Sequence, residues 1–400
     1  MFRLYLVHIP NRQSALEVLH QFLPNAGKKY ALRRNYVSAQ GKGANVSGLS
    51  PWIRTRLLHE WEIIEYVLHQ HSASAASKFI DEVCWRTYWK GWLQLRPAVW
   101  EQYLTELNQM HEVSCNDTIY QATLAGQSGI ECIDKWTQEL QQTGYLHNHV
   151  RMWYASIWIH TLKLPWVLGA DLFMQNLLDG DPASNTLSWR WVAGLHTKGK
   201  TYLARPDNIR KFTRGRFEVK ESLATEAIIP KDLPRQPPRS LPNLDPLPDK
   251  KSRVGVLLQE DDVCALNWLI TNQDEVEIHI AGYFSAEVYA ENRIAPMVAQ
   301  FRRESLESVL QLEHPLFKDF ESVGNWVTTN QLDTVLMAEV PIGIWNTKIQ
   351  GLKTMIEAHG AKLYMQRCPW DAHFHPLAKA GFFRFKQGIP AALDSVISPS

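Results

Sequence analysis

The stretch 144–191 constrains the fold of this chain more than any other. A helix through Asn148, Arg151 and Met152 would place an amide, a guanidinium and a thioether on one face, because these residues are spaced i, i+3 and i+4. The sequence Asp-Gly-Asp at 179–181 then adds carboxylates between two segments that are otherwise apolar. Polar groups that recur on an apolar background indicate a ligand site. We therefore interpret the stretch as the floor of a cofactor pocket.

Length, charge and cysteine usage narrow the class of protein. A chain of 400 residues with 45% hydrophobic residues predicts two globular domains. The net charge is only +1, so nucleic-acid binding would need a local basic patch. The five cysteines are too scattered for a C-x-x-C metal site or a disulfide framework, so we expect no metal and a reducing compartment. With no signal peptide and no long apolar span, we expect a soluble, cytoplasmic monomer.

A proline-rich segment divides the chain. Residues 221–252 contain seven prolines, which predicts an extended linker between a helical domain over 1–220 and a second domain over 253–390. The tail after Pro390 is expected to fray. Short apolar runs separated by helical patterns predict a smaller, Rossmann-like α/β domain with a parallel sheet. The expected strands are 254–258, 276–281, 334–340 and 362–367. Since no glycine-rich phosphate loop follows the first strand, the sequence does not predict a dinucleotide site there.

The amino-terminal half is unusually rich in tryptophan, with twelve of the 16 tryptophans between residues 52 and 191. Glu82, Trp85, Arg86 and Trp89 share one helical face. A tryptophan stripe is more often core than site. A carboxylate and a guanidinium on the same stripe are costly to bury without partners, which favours a pocket wall. Clustered tryptophans can stack a base or carry an electron, and composition leaves both open.

Two polar segments each have two interpretations. The Gly-, Ser- and Asn-rich segment 35–50 is either a surface loop or a loop that holds the polar part of a ligand with backbone N–H groups. The segment 192–220 carries eight basic residues against two acidic ones. It is either a solvated charged face or a rim that binds phosphates.

Four motifs in the amino-terminal half together resemble the FAD-binding helical domain of the DNA photolyase and cryptochrome family. They are VSGLS at 46–50, EVCWR at 82–86, TGYLHNHVRM at 143–152 and DGDPASNTLSWRW at 179–191. The resemblance covers about residues 35–212. It implies a mainly α-helical domain that holds a folded FAD, active in its reduced form, in a pocket open to a flipped-out pyrimidine dimer.

The resemblance also implies the residues that bind the cofactor. The motif at 46–50 would contact the diphosphate. Arg151 and Asp179 would form an ion pair beside the flavin ring, Asp181 would accept a hydrogen bond from it, and Asn185 would lie near its N5 atom. The implied cofactor-binding residues are Tyr36, Ser47, Gly48, Leu49, Ser50, Phe79, Glu82, Arg86, Asn148, Arg151, Asp179, Asp181 and Asn185.

Five residues match the catalytic pocket of the repair type of this family. Glu82 would hydrogen-bond the dimer carbonyls, with a pKa raised by burial. Asn148 and Met152 would form the floor, and Trp85 and Trp191 the apolar walls. The match favours a deoxyribodipyrimidine photo-lyase, a carbon–carbon lyase that repairs DNA with blue light. A cryptochrome-like photoreceptor flavoprotein without repair activity is the alternative.

The family's tryptophans for electron transfer have two matches here, Trp189 beside the flavin and Trp166 in the middle position. Trp136, Trp153 and Trp158 are candidates for the solvent end. The DNA-contacting residues implied by position and charge are His149, Lys198, Lys200 and Arg205.

This sequence also departs from the family's pattern. Val46 and Gly48 replace a threonine and an arginine of the phosphate motif, and His149 replaces a basic residue. The family carries its α/β domain before the helical one, whereas here it follows. We therefore expect a circularly permuted or rearranged arrangement, with an unrelated Rossmann-like module as an equal alternative, and an antenna chromophore is doubtful.

Overall fold

The structure, a computed structural model, has a helical part followed by an α/β part. It describes residues 8–37, 45–197, 200–228, 236–247, 253–270 and 276–397. This order agrees with the fold class expected from the sequence.

The helices of the first part form one layered bundle. In chain order they are Arg12–Phe22 (α1), Lys28–Arg33 (α2), Ser50–Arg54 (α3), Glu60–Gln70 (α4), Ala73–Gln94 (α5), Ala98–Ser114 (α6), Thr118–Leu124 (α7), Glu131–Thr143 (α8), Asn148–Ser156 (α9), Trp166–Asn176 (α10), Pro182–Val192 (α11) and Pro206–Phe212 (α12). A 3₁₀ turn at Leu23–Asn25 follows α1, and a π-helical segment at Ile157–Thr161 continues α9.

Local sequence signals explain where the site-forming helices begin and end. Helix α5 starts after Ser72, whose hydroxyl accepts a hydrogen bond from the N–H of Ala75. Helix α8 stops at Gly144, which adopts the left-handed conformation with φ of 64°. Helix α11 has Asp181 as its N-cap and Pro182 in its first turn, an arrangement that suits a helix start. These caps fix the two loops that precede α9 and α11.

The second part is a five-stranded parallel sheet with strand order β3-β2-β1-β4-β5. The strands are Arg253–Leu258 (β1), Glu277–Tyr283 (β2), Leu316–Phe317 (β3), Thr334–Ala338 (β4) and Lys362–Gln366 (β5). Its helices are Leu266–Leu269 (α13), Ala286–Glu291 (α14), Pro296–Glu307 (α15), Phe320–Thr329 (α16), Ile349–Ala358 (α17), Pro369–Phe374 (α18) and Phe382–Ile397 (α19), with a 3₁₀ turn at His375–Leu377. The predicted parallel sheet is confirmed.

Two details of the second part differ from the sequence-based prediction. Strand β3 has only two residues, too few to produce an alternating pattern. The prediction for the tail was wrong, because α19 continues through Pro390 to Ile397. Phe382, Phe385, Ile389 and Ala392 are buried at helical spacing, so packing holds this helix in spite of the proline.

Ion pairs join the carboxyl end of β1 to the helical part. The fully buried guanidinium of Arg54 lies 2.6 Å from Asp261 and 3.3 Å from Glu260. Arg56 lies 2.7 Å from Asp371 and 3.3 Å from Asp262. Buried charges are tolerated only when they are paired, so these contacts fix how the two parts meet.

One cluster in this interface has ligand atoms close enough to hold a metal ion. His59, Asp262 and Cys368 bring three such atoms within 4.8 Å of one another. Arg56 donates to Asp262 in the same cluster, however, and its positive charge opposes a cation there. The contacts therefore describe an ion-pair network.

The described parts of the proline-rich segment, 221–228 and 236–247, contain no helix or strand. They lie against both domains: the N–H of Arg239 donates to the carbonyl of Leu95, and Arg367 donates to the carbonyl of Pro242. Across the described residues, no helix combines the length and the apolar character needed to cross a membrane.

Candidate functional site

A cavity of about 560 Å³ lies in the helical part. Helices α5, α9 and α11 form its walls, together with the loops before α3, α9 and α11. Its volume is within the range of about 300–1,000 Å³ typical of ligand pockets. The residues that line it include Tyr30, Arg34, Ser47, Gly48, Leu49, Ser50, Glu82, Trp85, Arg86, Tyr145, Asn148, His149, Arg151, Met152, Asp179, Asn185, Trp189 and Trp191.

Two arginines and two aspartates carry the charge at one end of the cavity. Arg151 donates to Asp179 Oδ2 at 2.9 Å, and Arg86 donates to the carbonyl oxygen of Asp179 at 3.2 Å. Arg86 Nη1 also lies 3.7 Å from Asp181. Although burial alone would raise it, the pKa of Asp179 is lowered by Arg151 and Arg86. Arg86 likewise helps to lower the pKa of Asp181 to about 2. Both carboxylates are therefore charged at neutral pH.

Two atoms of this charged network are buried without a hydrogen-bond partner, Asp179 Oδ1 and Arg86 Nη1. An unpaired buried acceptor and donor cost free energy, on the order of 1–3 kcal/mol each, unless a ligand satisfies them. They lie on the same wall as the loop 46–50. This end of the cavity is thus suited to a polar ligand with both donor and acceptor groups.

At the other end, Glu82 faces Arg34. Their side chains form an ion pair of 2.8 Å, and each is about one-quarter exposed. Burial raises the pKa of Glu82 above its ordinary value, while the Arg34 guanidinium opposes the increase. The direction agrees with the sequence-based prediction, although the cation that accompanies Glu82 was not foreseen.

Comparison with known proteins agrees with this geometry. Residues 79–216 match the family model for the FAD binding domain of DNA photolyase. The deoxyribodipyrimidine photo-lyase of Salmonella typhimurium is 29% identical over 189 residues, which cover 46% of this chain and 39% of that protein. The corresponding enzyme of Thermus thermophilus is 29% identical over 193 residues, 48% of this chain and 45% of the relative.

Residues 79–216 therefore form a domain of the DNA photolyase and cryptochrome family. The match spans less than half the length of these curated relatives. Among solved structures, a bacterial class III photolyase from Agrobacterium tumefaciens is 26% identical, with 50% of this chain and 42% of that chain covered and a TM-score of 0.42.

The photolyase-family domain binds FAD, and the cavity described above fits that cofactor. The unpartnered Asp179 Oδ1 and Arg86 Nη1 offer one acceptor and one donor to it. The backbone at 47–50 opens helix α3, where free N–H groups suit an anionic group such as a diphosphate.

Most of the residues that the family resemblance assigned to FAD line this one cavity. Tyr36, Phe79 and Asp181 do not. Tyr36 packs against Phe212, with ring centroids 5.0 Å apart, and Phe79 packs between Phe22 and Tyr30. Asp181 Oδ1 accepts from Ser184 N and Oγ as the cap of α11. Asp181 therefore lies behind the cavity wall and acts on it through Arg86.

All five residues assigned to the lesion pocket also line the cavity: Glu82, Trp85, Asn148, Met152 and Trp191. Asn185, assigned to the flavin, is fixed by a hydrogen bond of 2.7 Å from its Nδ2 to the carbonyl of Ala170. The two assigned groups of side chains thus share one enclosed space, as the four motifs implied.

The tryptophan beside Trp189 is Trp158. Their ring centroids are 6.2 Å apart. Residue 169 must be a glycine for this packing, because a Cβ atom there would lie only 2.3 Å from the Trp189 ring. Trp158 in turn lies 6.0 Å from Tyr120. Trp166, the sequence-based choice, packs against Tyr103 at 5.7 Å, under the guanidinium of Arg190. The π-helical segment at 157–161 brings Trp158 to this position.

The residues that were expected to contact DNA lie in different environments in the structure. His149 lines the cavity and stacks on Trp153 with centroids 4.2 Å apart. Lys200 is exposed, and Arg205 is exposed and paired with Asp207. Lys198 lies outside the described residues.

Tyr30, Arg34 and Tyr145 are among the cavity residues that sequence reasoning did not assign. Tyr145 occupies the position of a tryptophan in the family motif at 143–152, so that motif could have identified it. Burial raises its pKa to about 12, and it lies 5.8 Å below the Arg151 guanidinium. Tyr30 and Arg34 come from α2 and its cap, which carry no motif.

Proposed function

We propose that this protein repairs cyclobutane pyrimidine dimers in DNA with light energy and bound FAD. The observation that carries the proposal is the shared cavity. Glu82, Trp85, Asn148, Met152 and Trp191, the five side chains that match the family's repair type, open into the same space as the Arg151–Asp179 ion pair.

The cavity divides into two functional sides in this proposal. The polar side, with Arg86, Arg151 and Asp179, holds the cofactor. The aromatic side, with Trp85 and Trp191, receives the dimer. A dimer cannot reach a buried cofactor from inside a duplex, so it must be flipped out, which costs less for a damaged and poorly stacked pair. Stacking on the two indoles offsets part of that cost, at roughly 1–3 kcal/mol per base.

When bound in its reduced form, photoexcited FAD would supply the electron that opens the cyclobutane ring and would recover it after the ring has split. The chain's own residues prepare the lesion for that electron. Glu82, with its raised pKa, can hold a proton against a carbonyl oxygen of the dimer. Asn148, exposed at the start of α9, offers an amide to the same base edges. On the cofactor side the Asp179 side chain is 4% exposed and the Arg86 side chain 13% exposed, so both charges are largely shielded from solvent.

The antenna chromophore and the domain order belong to this proposal as well. In open parallel sheets a ligand binds at the carboxyl ends of the strands, where the strand order reverses. Here that place, beside β1, contains Glu260 and Asp261 in ion pairs with Arg54. This arrangement supports a permuted α/β domain that docks on the helical domain by this edge and binds no antenna there.

The Arg34–Glu82 ion pair favours the second candidate, a blue-light photoreceptor without repair activity. The Arg34 guanidinium favours the charged form of Glu82 and occupies the space beside it, so the pair opposes the binding of a dimer carbonyl. Repair requires that the incoming lesion displaces Arg34 or uses it as a further donor. A photoreceptor would leave the pair intact.

A repair assay separates the two candidates. The purified protein with reduced FAD is illuminated with blue light in the presence of single- and double-stranded oligonucleotides that each contain one thymine dimer. Loss of the dimer, with Glu82→Gln and Asn148→Ala slower but still loaded with FAD, supports repair. If the wild-type protein leaves the dimer intact on both substrates, the repair proposal is wrong.

A further inference from the structure

The start of α19 forms a basic, aromatic projection next to the cavity. We name residues 379–386 the α19 tip. Phe383 in this tip is 85% exposed, and Lys379, Arg384 and Lys386 have exposed side chains. The sequence contains no acidic residue from 376 to 393. The tip thus combines an exposed aromatic ring with several cations, a combination typical of surfaces that bind nucleic-acid strands.

Two contacts attach the α19 tip to the cavity wall. Phe382 stacks on Trp85 with ring centroids 3.7 Å apart and planes only 9° apart. Lys386 forms an ion pair of 2.6 Å with Asp81, the residue that precedes Glu82 on α5. Because Trp85 and Glu82 line the cavity, the first turn of α19 runs along the helix that forms the wall of the lesion pocket.

A third contact joins the tip to the basic segment after α11. The hydroxyl of Tyr88 donates to the carbonyl of Ala380 at 2.9 Å and lies 3.4 Å from His196 Nε2. His196 belongs to the segment that continues to the exposed Lys200. The tip and this segment therefore meet at one tyrosine, Tyr88.

We infer that the α19 tip binds the DNA strand that flanks the flipped-out dimer, with Phe383 stacked against a base and Arg384 and Lys379 at phosphates. This inference rests on the proposed function and adds to it a task for the α/β domain. Flipping leaves a gap in the duplex, and exposed apolar side chains commonly wedge into such gaps. An aromatic ring stacks on any base, and cations beside it neutralise the backbone without reading sequence.

The test measures binding of a short duplex with one thymine dimer by fluorescence anisotropy, over a range of salt concentrations. Phe383→Ser should raise the Kd about tenfold, which corresponds to about 1.4 kcal/mol and lies within the range for base stacking. Its salt dependence should stay that of the wild type. Arg384→Gln should instead reduce the salt slope by about one phosphate contact.

Matched controls come from the same domain. Leu312, fully exposed, and Arg303, about half exposed, are changed to Ser and Gln and should leave Kd and salt slope unchanged. Repair of bound dimer in a single turnover, and the flavin spectrum, should be unaffected by Phe383→Ser, because the tip does not line the cavity.

The outcomes distinguish the inference from the proposed function. If the wild-type protein repairs the dimer but both tip variants keep a wild-type Kd and salt slope, the inference is wrong and the proposed function stands. If the variants lose binding only to vesicles of anionic phospholipid, the tip is a membrane contact and the inference is likewise wrong. If the wild-type protein repairs no dimer, the proposed function itself fails.

Discussion

Arg302, in the α/β domain, donates a hydrogen bond of 2.6 Å from Nη2 to the carbonyl oxygen of Gly180 in the helical domain. Arg54 donates to the same oxygen at 3.1 Å. Gly180 follows Asp179 directly, so both guanidinium groups hold the loop that presents the Asp179 carboxylate to the cofactor cavity. The α/β domain thereby contributes to the geometry of a site that lies wholly in the other domain.

Replacement of Arg302 by methionine should weaken FAD binding. Arg302 is fully buried and also lies 3.4 Å from Glu260, so its loss leaves part of a buried charge uncompensated. We expect a loss of roughly 3 kcal/mol in the free energy of unfolding and a clear rise in the Kd for FAD. The Kd for FAD is measured well below the melting temperature, from the increase in flavin fluorescence when FAD is released. Arg303→Met, at the exposed neighbouring position, is the control. Unchanged FAD affinity in Arg302→Met would limit Arg302 to a stabilising role.

Replacement of Arg34 by methionine should extend repair to higher pH. The Arg34 cation lowers the pKa of Glu82, whereas burial raises it, so removing Arg34 raises that pKa further. If the protonated carboxyl group is the active form, the rate falls as pH rises through this pKa. The falling limb of the pH–rate profile should therefore move to higher pH. Single-turnover repair across pH measures it, with the exposed Arg33→Met as control. A shift to lower pH would contradict this assignment of Glu82.

Replacement of Trp158 by phenylalanine should slow light-driven reduction of the bound flavin more than the same change at Trp166. Trp158 is the tryptophan whose ring lies 6.2 Å from Trp189, and the ring of Tyr120 lies next to Trp158 on its other side at 6.0 Å. The rate of reduction is measured as the loss of oxidised-flavin absorbance under blue light, in the presence of an external thiol reductant. A larger effect at Trp166 would show that the route follows the family's middle position.

Replacement of His147 by asparagine should reduce the loss of stability in acid. Burial, together with the nearby His149 and Arg151, lowers the pKa of His147 to about 3. Between that value and the ordinary value near 6.5, the unfolded chain binds more protons, so the free energy of unfolding falls as pH decreases. From pH 7 to 5 the His147 contribution is about 2 kcal/mol.

Asparagine suits this test because it can keep the N-cap acceptor that His147 Nδ1 provides to the N–H of His149. Urea unfolding of both proteins at pH 7 and pH 5 gives the comparison. From pH 7 to pH 5, the free energy of unfolding should fall by about 2 kcal/mol less in the variant than in the wild type. Identical losses in the two proteins would mean that His147 does not govern this dependence.

The motifs predicted the cavity residues well because each motif sits on one local element. Glu82, Trp85 and Arg86 share one face of α5, and the spacing of residues on a helix is fixed by its geometry. The same reasoning did not predict that the carboxylate of Asp181 caps α11. Sequence spacing gives the position of a side chain along an element, but the hydrogen bonds that it makes there depend on its neighbours.

The tryptophan next to Trp189 illustrates a second limit of prediction from sequence. Trp166 follows Asn148 at the family's spacing, yet the π-helical segment at 157–161 brings Trp158 against Trp189. A π-helical segment changes which residues share a face of a helix, and it has no recognisable sequence signal at this position.

The sequence by itself determined the family, the helical and parallel-sheet parts and most of the cavity residues, because periodicity and motif spacing are local properties of the chain. Only the tertiary structure decided that Arg34 pairs with Glu82, that Arg302 holds Gly180, and that Phe382 stacks on Trp85. Each of these contacts joins elements 48 to 297 residues apart in the sequence. Such contacts depend on how two surfaces pack, which no short pattern of residues encodes.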